Sequence, residues 1–295
     1  MSFATLSPVD ARFEQLLLEE KGDLIVITLN RPEVVNCLSM QLSDEIMKAV
    51  ERARQSAKAK IVVIRGAGGN FCAGDDLKEM QTWGDSNEVF RRVRFYQDMA
   101  YAIEELDKTT IAAVDGFAVG GGLEITMACD FVIATEGAKW GMPEVDWGIT
   151  PGWGGTTRMA RLIGRRRTKE INLLGALHPA ITAVEWGLWN RVVPNDNLDA
   201  EVNALVELLR TKNHQGVRQL KYIINKGVEC DLYTAQAMEA LSAAWSAELN
   251  NMGHPADHDA GAGLVAFKEK NDLLQKRRSI AKPFWTDWPG VRGGR

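Results

Sequence analysis

At 295 residues and 32.6 kDa, the chain is about twice the ~150-residue prior for one domain, so one large domain or two are both open and either can bury a core. Lys plus Arg number 35 against 39 Asp plus Glu, a net charge of -4 with a pI near 5.7, which argues against a broadly basic nucleic-acid binder. Glycine and proline, 27 and 9 residues, stand at ordinary levels and exclude a collagenous or low-complexity chain.

Cys37, Cys72, Cys129 and Cys230 form no CxxC pair, so neither a disulfide framework nor a cysteine zinc site is expected, and a reducing cytoplasm fits that usage. The first twenty residues mix acids with scattered apolar side chains, unlike a leader, and no run of about 18 apolar residues occurs. The expectation is a soluble, unexported protein that does not engage a membrane. Of four histidines, only His254 and His258 are four apart, in NMGHPADHDAG, where Pro255 and the glycines predict a polar turn rather than a helical metal site.

In chain order, residues 14–30 (EQLLLEEKGDLIVITLN) read as two β-type runs around a Lys21-Gly22-Asp23 turn, a hairpin pattern. Arg31-Pro32-Glu33 stops the second strand, because proline removes a ladder donor. From Ser39, a cap residue, Leu42, Ile46 and Val50 recur four apart and predict an amphipathic helix. IVVIRG (61–66) is an unbroken β-branched run of the kind buried on both faces of a sheet. A helix-prone stretch follows over about 88–107, then a buried strand opening IAAVDGFAVGGG (111–122), a helical EITMACD and a strand in FVIAT (131–135). WGMPEVDWGITPG, punctuated by Pro and Gly, reads as a loop. Strand, loop, helix, strand is the rhythm of an α/β fold with mostly parallel pairing. From about residue 199 the pattern is helical only, and SIAKPFWTDWPGVRGGR reads as a tail.

Two glycine-bearing loops could carry chemistry. GNFCAGDDLKEM follows IVVIRG, and GFAVGGGLE follows IAAV and enters a helix directly. Gly120 to Gly122 allow close approach of backbone to a ligand, and amides at a helix N-terminus point outward as donors. Two such loops could supply two convergent amides, the arrangement that holds an oxyanion. Taken singly, each loop is more readily a tight turn. GxxxxGK[ST] is absent, and GGG is not the spaced GxGxxG of dinucleotide binders. Glu124, two residues past the glycine triplet, and Glu144 are the nearby carboxylates, although a glutamate alone is usually a solvated surface residue.

Together, FCAGDDLKEM, IAAVDGFAVGGGLEITMACD and PEVDWGITPGWGGTTRMARLIG, preceded by LNRPEVVNCLS and followed by EWGLWNRVVP and AFKEK, resemble the enoyl-CoA hydratase/isomerase (crotonase) family over most of the chain. The resemblance implies an α/β fold with a crotonase-type ββα spiral core over 1–205, a helical trimerisation region over 206–278 and a tail over 279–295. It implies that the amides of Asp75 and Gly121 form an oxyanion hole for a thioester oxygen, and that Glu124 and Glu144 are catalytic, Glu124 mainly activating water and Glu144 exchanging the Cα proton. Syn addition of water across a conjugated double bond needs such a pair and no metal or redox cofactor. It further sets Ala73, Asp76, Leu77, Trp147, Gly152, Phe267 and Lys270 along the substrate, with coenzyme A entering as part of an acyl-CoA, and implies a homotrimer or a homohexamer built from two trimers.

Several residues depart from the family pattern. Asp75 stands where a small or apolar residue is usual, and an ionised carboxylate near an enolate is repulsive unless turned away or paired. Val34 and Val35 stand where many relatives carry a basic residue near the CoA phosphates, and Thr109 stands where proline is usual. Trp83, Trp140, Trp147 and Trp153 cluster in or beside the site segments, with core packing the alternative for Trp140. Trp147 in EVDWGITPG, with AGDDLKEM, is similar to the hydroxycinnamoyl-CoA hydratase-lyases, whose aromatic acyl groups suit flat indoles. Those relatives tend to lack an acid at the position of Glu124, so hydration of a 2-enoyl-CoA is the first expectation and hydratase-lyase chemistry the second. Isomerase, C–C hydrolase and non-catalytic RNA-binding relatives follow.

Overall fold

The computed structural model describes residues 13–251. Phe267, Lys270, the His254 and His258 pair, the 279–295 tail and the part of the 206–278 region beyond 251 lie outside the described residues. Two compact units are present, one ending at Val202 and one beginning at Asn203.

The first unit is built on a six-stranded sheet. Strands β1 (Leu16–Lys21) and β2 (Leu24–Leu29) form the expected antiparallel hairpin, and Gly22 turns it at φ 68°. β3 (Ile61–Gly66), β4 (Thr109–Val114), β6 (Phe131–Thr135) and β9 (Arg191–Val193) extend it in parallel, in the order β1-β2-β3-β4-β6-β9. Every residue of β4 is buried, as parallel strands covered on both faces require.

Between strands run α1 (Met40–Gln55), the short α2 (Leu77–Met80) and α3 (Ser86–Glu104). Ser39 caps α1 by accepting from the Leu42 amide, and Leu42, Ile46, Ala49 and Val50 make its buried stripe. Asp85 caps α3, which packs on α1 and on α4 (Gly121–Ala128).

A second, three-stranded sheet differs from the sequence expectation. The run 111–122 turns a corner at Gly116, φ 55°, and gives a separate strand β5 (Phe117–Val119). β5 pairs in parallel with β7 (Lys139–Gly141), which pairs antiparallel with β8 (His178–Pro179). The segment read as one loop therefore holds a strand and a 3-10 helix, Pro143–Trp147. Strands of two or three residues are too short to show an alternating pattern, so only their partners reveal them.

Trp140 lies in this sheet as a core residue. It is fully buried, donates its indole N–H to the Pro179 carbonyl at 3.1 Å and meets Trp186 edge-on at 5.9 Å. α5 (Thr157–Leu174), interrupted at Gly164, and α6 (Ala180–Glu185) complete the layer before β9.

The helix α7 (Leu198–Arg210) contains the division between the units. In the second unit α8 (His214–Gly227) and α9 (Leu232–Asn251) pack on each other, leaving Leu220, Ile224, Leu241 and Trp245 exposed. Among the described residues no helix is long and apolar enough to cross a membrane.

Candidate active site

Both glycine loops belong to the first unit, and their geometry is fixed by short β-bridges. The Cys72 amide donates to the Phe117 carbonyl at 2.7 Å, and its own carbonyl accepts from Val119 at 3.0 Å, tying the first loop to β5. On the other side the Leu38 amide donates to Gly74 and the Asp76 amide donates to Leu38, at 2.8 and 2.9 Å. This bridge uses the Gly74 carbonyl and the Asp76 amide, so the Asp75 N–H points to the opposite edge. Gly121 opens α4, where the first amides of a helix have no internal acceptor. Neither the Asp75 nor the Gly121 N–H has a hydrogen-bond partner among the described residues.

Gly74 brings these two amides together. Its φ is 101°, and a Cβ there would stand 3.0 Å from the Val119 carbonyl oxygen and 3.4 Å from the Gly121 nitrogen. Glycine alone permits both the backbone angle and the approach.

Three carboxyl groups surround the amide pair. Glu124, in the first turn of α4, is 1% exposed, and its Oε1 accepts from the amides of Trp153 at 3.0 Å and Gly155 at 2.6 Å. Burial, then the nearby Asp75 charge, pushes its pKa well up, while the two amides and Glu144 act in opposite senses, lowering and raising it. Glu144 reaches in from the 3-10 helix, with Oε1 3.0 Å from where a Cβ on Gly120 would be. Its Oε2 is buried without a partner, and burial raises its pKa.

Asp75 is the third. Its Oδ1 is sealed from solvent and stands 2.9 Å from where a Cβ on Gly121 would be, as does Trp153 Cζ2. Burial, reinforced by Glu144, raises its pKa from 3.8 to about 7. The Trp153 indole N–H faces this carboxyl closely enough to offset part of that rise, yet neither Nε1 nor Oδ1 completes a hydrogen bond. The repulsion posed by the sequence is thus met neither by turning away nor by pairing: below pH about 7 the group holds a proton.

A cleft of about 680 Å³ opens onto these groups. Of the residues singled out in the sequence, Ala73, Asp75, Asp76, Leu77, Gly121, Glu144 and Trp147 line it, the last 65% exposed. Glu124 lies a layer deeper, and Gly152 packs on Val93 of α3 instead of the cleft wall.

Arg31 is a wall residue that sequence reading passed over, since Arg31-Pro32 registered only as a strand stop. Its guanidinium pairs with Asp76 at 3.0 Å and donates to the Cys37 carbonyl at 2.6 Å. Burial alone would raise the Asp76 pKa, but Arg31 and the α2 amides of Glu79 and Lys78 outweigh it and hold the carboxyl below its ordinary value. Tyr96 and the Trp153 and Gly155 amides were also missed. No local pattern announces them; only the fold aims these amides at Glu124.

A protein-family model, "Enoyl-CoA hydratase/isomerase", matches residues 19–276. A crotonyl-CoA hydratase from Syntrophomonas wolfei is 35% identical over 259 residues, spanning 88% of this chain and 96% of that protein. A short-chain-enoyl-CoA hydratase from Clostridium acetobutylicum is 35% identical, spanning 76% and 86%. Among solved structures, an enoyl-CoA hydratase from Bacillus anthracis superposes with a TM-score of 0.79 at 34% identity, covering 88% of this chain and 97% of the other.

Proposed function

The chain belongs to the enoyl-CoA hydratase/isomerase family, and on that premise we propose that it is a hydro-lyase catalysing reversible hydration of a 2-enoyl-CoA thioester. The observation that carries this reading is the convergence of two uncommitted amides, Asp75 and Gly121, with the Glu144 carboxyl at one cleft and the Glu124 carboxyl buried directly behind it.

In the forward direction a water held by Glu124 adds its oxygen to Cβ and gives its proton to that carboxylate. The electron pair of the double bond moves onto the thioester oxygen, where the two amides receive the developing enolate charge. Glu144 gives a proton to Cα, the thioester carbonyl reforms, and one water has been added with no change in redox state. Three neighbouring carboxyl groups cannot all be ionised at once. The cycle needs the negative charge on Glu124, where the two backbone donors oppose the burial that otherwise holds its pKa well up.

Glu124 and the hydratases among the relatives favour hydration over the hydratase-lyase alternative. The same reading assigns coenzyme A to the substrate, with no separate cofactor, and a cytoplasmic site of action. It also gives a trimer or hexamer, for which the exposed apolar side chains of α8 and α9 offer a surface; light scattering of the full chain tests the assembly. Loss of the conjugated-thioester absorbance of crotonyl-CoA tests the activity, and an inert protein would overturn the proposal.

A further inference from the structure

Behind the residues that line the cleft, a layer of aromatic side chains packs against the oxyanion segment. Trp153 is 3% exposed, and its benzo-ring atom Cζ2 lies against Gly121, immediately beside the amide assigned to the thioester oxygen. Its ring stacks on buried Tyr96 at a centroid distance of 5.6 Å and an interplanar angle of 14°. Trp83 lies 6.5 Å from Tyr96, with the Arg92 guanidinium over its ring at 5.2 Å. Trp153, Tyr96 and Trp83 therefore stand in file behind the oxyanion amides.

Nor can this file swing aside easily. The Trp153 amide is bound to Glu124, its carbonyl accepts from Arg158 Nη1 at 2.6 Å, and the preceding Gly152 carbonyl accepts from Gln97 Nε2 at 2.7 Å. Arg158 is itself held by Glu104 at 2.7 Å. A Cβ on Gly152 would already meet Val93 at 2.9 Å, so the segment has no space in which to retreat toward α3.

We propose that Trp153, backed by Tyr96, is the end wall of the acyl subsite and restricts the substrate to a short acyl chain. The proposal rests on the acyl-CoA reading of the cleft and names the residue that sets its substrate class. In an open subsite each further methylene buried strengthens binding about fourfold. Against a closed wall that gain is lost, because the extra carbons must displace packed rings or turn back into water.

Two measurements on the full chain separate this proposal from the hydratase reading. Calorimetric binding of butyryl-CoA and octanoyl-CoA needs no turnover: the wild type is expected to bind octanoyl-CoA no more tightly than butyryl-CoA. Trp153→Ala should shift that preference toward octanoyl-CoA at least tenfold, and Trp153→Phe, which retains a ring, by less. With crotonyl-CoA and trans-2-octenoyl-CoA, the wild-type kcat/KM should fall at least tenfold from the shorter to the longer substrate. Octanoyl-CoA binding tighter by the full methylene increment in the wild type would overturn the end wall even if Trp153→Ala failed to fold. Absence of turnover on every enoyl-CoA, with the short-chain binding preference intact, would count against hydration and leave the wall standing.

Discussion

Trp153 joins the catalytic layer to the aromatic layer: its backbone N–H donates to Glu124 Oε1 at 3.0 Å while its indole stacks on Tyr96 at 5.6 Å. The carboxylate and the end wall are thus set by one residue, through chemically independent parts of it. A side-chain substitution at 153 keeps the amide, whereas Glu124→Ala strands it.

Glu124→Gln and Glu124→Ala should therefore differ. Glutamine can still present a carbonyl oxygen to the Trp153 and Gly155 amides, so its expected loss is chiefly in kcat, about 10²–10⁴-fold for a missing acid-base group. Alanine leaves two buried N–H groups unpaired, at about 1–3 kcal/mol each. Thermal unfolding should rank the alanine variant clearly below the glutamine variant, and equal midpoints would refute the structural share of this carboxylate.

Adjacent glycines give a second contrast. A Cβ on Gly122 would lie 2.2 Å from the Cys72 carbonyl oxygen, a backbone atom held by the bridge to β5, so Gly122→Ala should cost stability first. At Gly121 the Cβ would meet Asp75 Oδ1 and Trp153 Cζ2, each at 2.9 Å, and Leu38 Cδ1 at 3.1 Å. With Trp153 held by its stack on Tyr96, the added methyl is accommodated by shifting Asp75 and Leu38, and moving Asp75 displaces an oxyanion donor. Gly121→Ala is expected to fold and to lose about 10²–10³-fold in kcat, the usual effect of removing one such donor. Circular dichroism beside steady-state kinetics distinguishes the two.

Much of this was legible in the sequence, and the illegible part has a consistent cause. The hairpin, α1 with its Ser39 cap, β3 and β4 follow from local periodicity and turn chemistry, which neighbours in sequence determine. The positions of the Asp75 and Gly121 amides and of both glutamates were reached through motif resemblance, because the bridges from Leu38 and Ala118 that align them are contacts between distant segments. Arg31, the Trp153 amide on Glu124 and the strands β5, β7 and β8 have no local signature at all. The departure at Asp75 was visible as an anomaly, but its protonation depends on burial, which composition does not reveal.

That protonation makes stability pH-dependent with a definite sign. The Asp75 pKa is raised from 3.8 to about 7 on folding, so the folded state binds the proton more tightly than the unfolded state. The stability from this group is fully present below pH 3.8 and is lost progressively as pH rises through about 7. Asp75→Asn has no such titration. The difference in unfolding midpoint, variant minus wild type, should therefore increase from pH 4 to pH 7 and level off above it, and a flat difference across that window would mean the carboxyl is not buried as described.

Asp76, one residue on, should respond in the opposite direction. Arg31 and the α2 amides hold its pKa below the ordinary value despite burial, so it contributes stability above the unfolded pKa that is lost as pH falls through the folded one. Arg31→Ala removes the partner at 3.0 Å from a carboxylate whose side chain is only 16% exposed, and with it the donor to the Cys37 carbonyl. A charge-assisted hydrogen bond of this kind is worth about 1.5–3 kcal/mol. The expected result at pH 7 is a destabilised protein that retains the α2 cap, since the Lys78 and Glu79 amides still reach Asp76. As the pH is lowered toward 3 the gap between wild type and Arg31→Ala should narrow, because protonation removes from the wild type the interaction the variant already lacks. Chemical denaturation at both pH values measures that gap, and a constant gap would show that Arg31 acts through the Cys37 carbonyl alone.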